Sequence, residues 1–128
     1  MAISREKKQT QIETYVELLS RSQAVFLMGY RGMSVAEMTK LRRQLDQVDT
    51  SFMVVKNTLF KRALEQCGLS LPEEMFGGPL AIGVARGDAV AAAKTFKDAV
   101  AASQFLQFRG GLLGGRAITA DQAKSLAD

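Results

Sequence analysis

SFMVVKNTLFKRAL, residues 51–64, holds a strand, a cationic corner and an amphipathic helix in a single run. Phe52, Met53, Val54 and Val55 form an apolar run too short for a helix and rich in β-formers, which predicts a central strand covered on both faces. Lys56 ends it, and Asn57 carries the side chain of an N-cap. At about 100° per residue, Leu59, Phe60, Ala63, Leu64 and Cys67 then share one arc, while Lys61, Arg62, Glu65 and Gln66 share the other. Gly68 has the place of a C′ residue, so the helix is expected to stop there.

A strand-to-helix corner of this kind presents unpaired backbone N–H groups and the positive end of a helix dipole. With Lys56 before it and Lys61 and Arg62 one turn inside, it is suited to a phosphate. The ordinary alternative for Lys61 and Arg62 is a solvated basic helix face.

Upstream the same design recurs. The apolar run at residues 24–28 predicts a first strand, and Gly29-Tyr30-Arg31-Gly32-Met33 follows as a flexible cationic corner. Ser34 with Glu37 is a capping box opening a second helix, in which Val35, Met38, Leu41 and Leu45 are expected inward, Lys40 and Arg43 outward and Arg42 on the flank. Residues 46–50 read as a polar turn. Before all this, Ser4 can cap a first helix to about Ser20, with Ile12, Tyr15, Val16, Leu18 and Leu19 as its stripe. Arg5 and Lys8 continue the azimuth of Ile12 and Leu19, so the first two turns are expected to overhang the domain and touch something anionic.

Downstream, a loop through Pro72 leads to one helical turn near Met75 and then to Gly77-Gly78-Pro79. Residues 80–85 predict a third strand, and Asp88 caps a fourth helix whose inward face is mostly alanine with Phe96. Lys94 and Asp98 form an i,i+4 pair on its outer side. Residues 105–113 predict a last strand, with Gly110-Gly111 read as a bulge in preference to an RNA-binding RGG element. Thr119 with Gln122 opens a final capped helix. Four strands alternating with helices predict an α/β fold, a plait-like sandwich of one mixed four-stranded sheet with packed helices, in a single domain over residues 1–128.

Composition bounds the function. A chain of 128 residues with 47% apolar content suits one globular core. No run approaches the ~18 apolar residues of a membrane helix and the N-terminus lacks an apolar signal core, so a cytoplasmic protein is expected. Residues 1–67 carry 11 Lys and Arg against 7 Asp and Glu, whereas residues 68–128 carry 6 of each, so the basic half should meet an anionic partner. Histidine is absent and the lone Cys67 is on the apolar arc; no metal spacing, Walker loop or complete dinucleotide fingerprint occurs. An enzyme is therefore not expected, and neither a metal nor a cofactor is. The rival readings are a small phosphate-ligand-binding enzyme using Arg31 and Lys56, and a plain protein-interaction module.

Tyr30-Arg31-Gly32 ahead of a capped helix containing Leu41-Arg42, then Val54-Val55-Lys56-Asn57-Thr58-Leu59 with Arg62-Ala63, then Gly78-Pro79 opening the third strand, closely resembles a known family. It is that of the bacterial stalk-base protein, protein ten of the large ribosomal subunit, in its N-terminal domain. The resemblance implies a non-enzymatic ribosomal protein that binds large-subunit ribosomal RNA next to ribosomal protein eleven and anchors the ribosomal stalk used by translational GTPases. It also implies acidic stalk protein dimers as partners, bound through a C-terminal helix that this sequence does not contain. Arg31, Gly32, Arg42, Lys56, Asn57 and Arg62 would then hold a folded RNA by phosphate contacts and close backbone approach, with Arg5, Lys7 and Lys8 extending the surface. Shape would dominate recognition, because an RNA helix hides its base edges in a deep groove, and few exposed aromatics are expected beyond Tyr30, which argues against a single-strand stacking platform.

Overall fold

The computed structural model describes residues 5–127; the N-cap expected at Ser4 and the terminal Asp128 lie outside them. The elements are α1 (Arg5–Arg21), β1 (Ala24–Gly29), α2 (Val35–Asp46), β2 (Thr50–Val55), α3 (Asn57–Gln66), a 3-10 turn (Glu73–Phe76), β3 (Leu80–Ala85), α4 (Ala89–Ala102), β4 (Gln107–Leu113), β5 (Arg116–Ile118) and α5 (Ala120–Ser125). The strands form one sheet in the order β2-β3-β1-β4-β5.

The expected α/β sandwich with packed helices is present, with two differences in its sheet. Every pairing is antiparallel, and there is a fifth strand. β3 inserts between β1 and β2, and β1 inserts between β3 and β4, so the crossovers β1-α2-β2 and β3-α4-β4 each skip one strand, while β2 and β3, joined through α3, are neighbours. Parallel-running strands therefore never touch, and the interleaving is that of a split βαβ plait. β5 is short and follows Gly114-Gly115, both at positive φ, in a two-residue hairpin turn.

Two apolar layers sandwich the sheet. On one face α1 and α3 cover the strands with Ile12, Tyr15, Leu19, Leu59, Phe60 and Leu64. On the other, α2, α4 and α5 contribute Leu41, Leu45, Ala92, Phe96 and Ala123. Phe96 is the hub of that second layer, with its ring 5.5, 5.8 and 6.3 Å from those of Phe26, Phe52 and Phe108. It reaches the strands because Gly83 has no side chain: a Cβ there would lie 2.3 Å from the Phe96 ring. The alanine-rich face of α4 serves the same close approach.

β2 is an edge strand, which corrects the expectation of a central strand covered on both faces. Phe52 and Val55 are buried, but Val54 is 48% exposed. A continuous apolar run looks the same in a central strand as at an edge that a flanking helix half covers, and only the insertion of β3 decides between them. Arg42 of α2 protects this edge by donating from Nε to the Phe52 carbonyl at 3.2 Å. Val35, expected inward, is 84% exposed. Helix α2 meets the sheet only from its second turn, where Met38 and then Leu41 begin the buried face. The capping boxes Ser34/Glu37 and Thr119/Gln122 both form, and Asp88 caps α4. Lys94 and Asp98 close no ion pair among the described residues.

Cys67 packs against the α1/α3 layer as the C-cap of α3, half-buried, with Sγ 3.9 Å from the Val16 carbonyl. A thiol reagent is therefore expected to label native protein more slowly than denatured protein, and Cys67→Ala should cost about 1 kcal/mol in urea unfolding.

Candidate nucleic-acid interface

The interleaved sheet brings the two cationic corners to one end of the molecule. Leu80 at the start of β3 pairs with Gly29 at the end of β1 and with Val55 at the end of β2. The corners at Arg31 and Lys56 are thus two strand spacings apart, about 10 Å. The loop carrying Gly77 and Gly78 enters β3 between them. β4 begins at the same end, because Gln107 pairs with Gly29.

Although they look alike in sequence, the two corners differ in how their helices start. At α2 the Ser34 hydroxyl accepts from the Glu37 backbone N–H at 3.1 Å, and the Glu37 carboxylate returns to the Ser34 N–H. The orphan donors there are satisfied internally and the helix dipole already faces a carboxylate, so this corner offers an anion Arg31 rather than its helix end. At α3 the N-cap residue is Lys56, and no side chain caps the helix. Its first backbone N–H groups stay open beside an exposed lysine.

Asn57 is the first helical residue, not the cap that its side chain suggested. Its Nδ2 donates to the Phe76 carbonyl at 2.8 Å and to the Gly78 carbonyl at 3.2 Å, bracketing the turn in which Gly78 takes φ +72. The amide thereby ties the β2–α3 corner to the loop entering β3. A capping role was the local alternative; the tertiary contact took the side chain instead.

The other expected contact residues are spread around this end. Arg31, Gly32, Lys56 and Arg62 are exposed. Arg42 is on α2, with its Nε engaged on the β2 edge, whereas Arg62 is on α3 across the sheet. Arg5, Lys7 and Lys8 are exposed in the first turns of α1, on the α3 side. Lys61 is committed elsewhere: its ammonium lies 2.7 Å from Glu73 and 4.8 Å from the centre of the Phe76 ring.

Two residues at this end escaped the reading of the sequence. Phe105, 40% exposed, lies against Gly32, where a Cβ would come 2.5 Å from its ring and where φ is +99. It is the exposed aromatic of the corner; Tyr30 is half-buried against the α2/α4 layer. Arg109 is the second. The β1–β4 register skips it between Phe108 and Gly110, so the expected bulge is present and Arg109 is its extra residue. A charged residue inside an apolar strand is the sequence signal for it.

Elsewhere cations meet carboxylates. Arg21 pairs with Glu17 and, at the opposite end of the sheet, Arg86 pairs with Asp49. Among the described residues no carboxylate is within ion-pair distance of Arg31, Lys56 or Arg109. A groove of about 360 Å³ between α2 and α4 is lined by Glu37, Lys40, Asp98 and Ser103 with apolar neighbours. The Ser103 hydroxyl donates to Glu37 Oε2 there at 3.3 Å, and the same carboxylate also closes the α2 cap. Among the described residues no cluster suits a metal, and no helix is long and apolar enough to cross a membrane.

Comparison with known proteins gives the same direction. The family described as Ribosomal protein L10 matches residues 3–100. Large ribosomal subunit protein uL10 of Streptomyces antibioticus is 36% identical over 98% of this chain and 71% of its own length. The uL10 proteins of Thermomicrobium roseum and Staphylococcus aureus (strain JH9) are 40% and 38% identical, over 94% and 98% of this chain and 68% and 75% of theirs. This protein therefore belongs to the ribosomal protein L10 family, non-enzymatic proteins of the large subunit of the cytoplasmic ribosome.

Proposed function

We propose that this chain, as a single domain, binds large-subunit ribosomal RNA through the sheet end described above and so anchors the lateral stalk that translational GTPases use. The observation that carries the reading is the convergence of Arg31 and Lys56, both exposed and without carboxylate partners among the described residues, at one end of one sheet. Phosphate contacts from these two cations, together with the uncapped start of α3, would hold the RNA backbone. Arg42 and Arg62 flank the corner on opposite faces, and Gly32 lets the backbone come close. Arg5, Lys7 and Lys8 extend the basic surface along α1. Asn57 acts by positioning the Gly77–Gly78 loop. Ribosomal protein eleven as neighbour completes the same proposal; binding of the acidic stalk protein dimers belongs to the family's C-terminal helix and is assigned to no residue here.

Charge placement tests it. Arg31→Gln or Lys56→Gln should weaken binding to a large-subunit RNA fragment by about 1 to 3 kcal/mol and lower the salt slope by about one unit. Lys94→Gln on the outer side of α4, and Arg116→Gln at the far end of the sheet, should leave both unchanged. Binding measured across a salt series, with circular dichroism to confirm folding, reads this out; equal losses at all four positions would show a non-specific field and not a site.

Asn57→Ala removes no charge, yet it should lower stability by about 1–3 kcal/mol, because the Phe76 and Gly78 carbonyls lose their donor. It should also weaken the RNA complex. Urea unfolding and the same binding series measure the two effects, and a variant with unaltered stability would remove the positioning role.

A further inference from the structure

Arg109 is an expensive residue to place where it is. Its Nε is buried with no hydrogen-bond partner, and an unsatisfied buried donor destabilises a fold. Nothing in the packing of the described residues requires a guanidinium there, and an apolar side chain at a bulge would avoid the cost.

The surroundings are shaped to the guanidinium all the same. A Cβ at Gly29 would lie 2.7 Å from Arg109 Nε and 3.1 Å from its Nη2, and one at Gly77 would lie 3.7 Å from its Nη1. A Cβ at Gly78 would lie 3.5 Å from Nη2 of Arg31. The two guanidinium groups therefore flank consecutive glycines, which Asn57 holds in place. Gly77 and Gly78 are exposed, so the open side of this arrangement faces solvent. The acidic residue of the preceding turn that could compensate, Glu73, is turned onto Lys61. Glu74 makes no ion pair among the described residues.

From this geometry we infer that Arg109 and Arg31 form a two-arginine clamp across the Gly77–Gly78 turn that grips a phosphodiester group of the RNA backbone. The inference rests on the RNA-binding reading above and adds a residue and a geometry to it. Two forked donors suit a tetrahedral oxyanion better than a point charge does, and the bare glycines let a sugar-phosphate chain approach. Packing of Nε against Gly29 seats the side chain and leaves the Nη groups for the ligand.

The test uses the full chain and a large-subunit RNA fragment over a salt series. Arg109→Gln should weaken binding about tenfold and reduce the salt slope by about one unit. Thermal unfolding of this variant should occur no earlier than in the parent, since the unsatisfied donor is relieved; marked destabilisation would make Arg109 a structural residue and overturn the clamp. Gly29→Ala keeps every charge but displaces the flexible end of Arg109, and should reproduce the loss of affinity without loss of fold. Because both arginines grip one group, Arg31→Gln combined with Arg109→Gln should lose less than the product of the single losses.

Binding of Arg109→Gln or Gly29→Ala at the parent level, or fully multiplicative losses in the double variant, would overturn the clamp. If Arg31→Gln and Lys56→Gln still weaken binding in that case, the RNA-binding reading survives. A parent protein with no salt-dependent RNA affinity overturns both. Inorganic phosphate, at matched ionic strength, should compete no better than chloride, and strong competition would reassign the site to free phosphate.

Discussion

β1 is the element on which everything else is registered. All six of its residues are buried, both its edges are hydrogen-bonded, to β3 and to β4, and a helical layer covers each of its faces. A strand so enclosed has no freedom of register, because a slip by one residue would exchange the two apolar faces. Its neighbours are consequently fixed in height against it. Gly29, Leu80, Val55 and Gln107 are brought level at one end of the sheet, and the four connections that meet there are held within a few residues of a rigid ladder.

That end is where the fold departs from internal economy. At other places helix starts are capped, at Asp88 and Thr119, and Arg86 and Arg21 have carboxylates, although Gln11 Oε1 in α1 is also buried without a partner. At the corner end α3 begins without a side-chain cap, Arg109 buries an unsatisfied Nε, and Gly32 and Gly78 take positive φ. Such departures gather where a chain meets a partner. Carboxylates would have neutralised these cations cheaply; their absence leaves a positive field for a polyanion, consistent with a family whose members are part of a ribonucleoprotein.

Rigidity and reach are divided between two kinds of contact. Asn57 and Arg42 each spend side-chain donors on backbone carbonyls of another segment, Asn57 on the loop before β3 and Arg42 on the β2 edge. They hold the corner in shape. Arg31 and Lys56 make no comparable commitment and extend into solvent, where a ligand can order them. Preorganised backbone with uncommitted cations suits recognition by shape and phosphate, in which the geometry of the groove selects and the charges supply affinity.

Much of this was legible in residue order. Capping boxes at Ser34 and Thr119, the cap at Asp88, the stop at Gly68 and the alternating helices follow from short-range hydrogen bonding and side-chain periodicity, which act within a few residues and need no partner. The resemblance carried by Val54 to Leu59 and by Tyr30-Arg31-Gly32 supplied the family. Strand order could not be read, because the apolar pattern of β2 is the same whether β3 pairs with one of its edges or a further strand covers the other. The capping look of Asn57 was misleading for a related reason: an amide can bond its own helix or a loop twenty residues away, and only folding decides which is nearer. Arg109 is marked in the sequence only as a charge within an apolar strand, and the half of the chain that contains it is electrically neutral. The pairing of β4 with β1, a contact between segments about eighty residues apart, is what places its guanidinium beside Gly29, Gly77 and the arginine of the basic half.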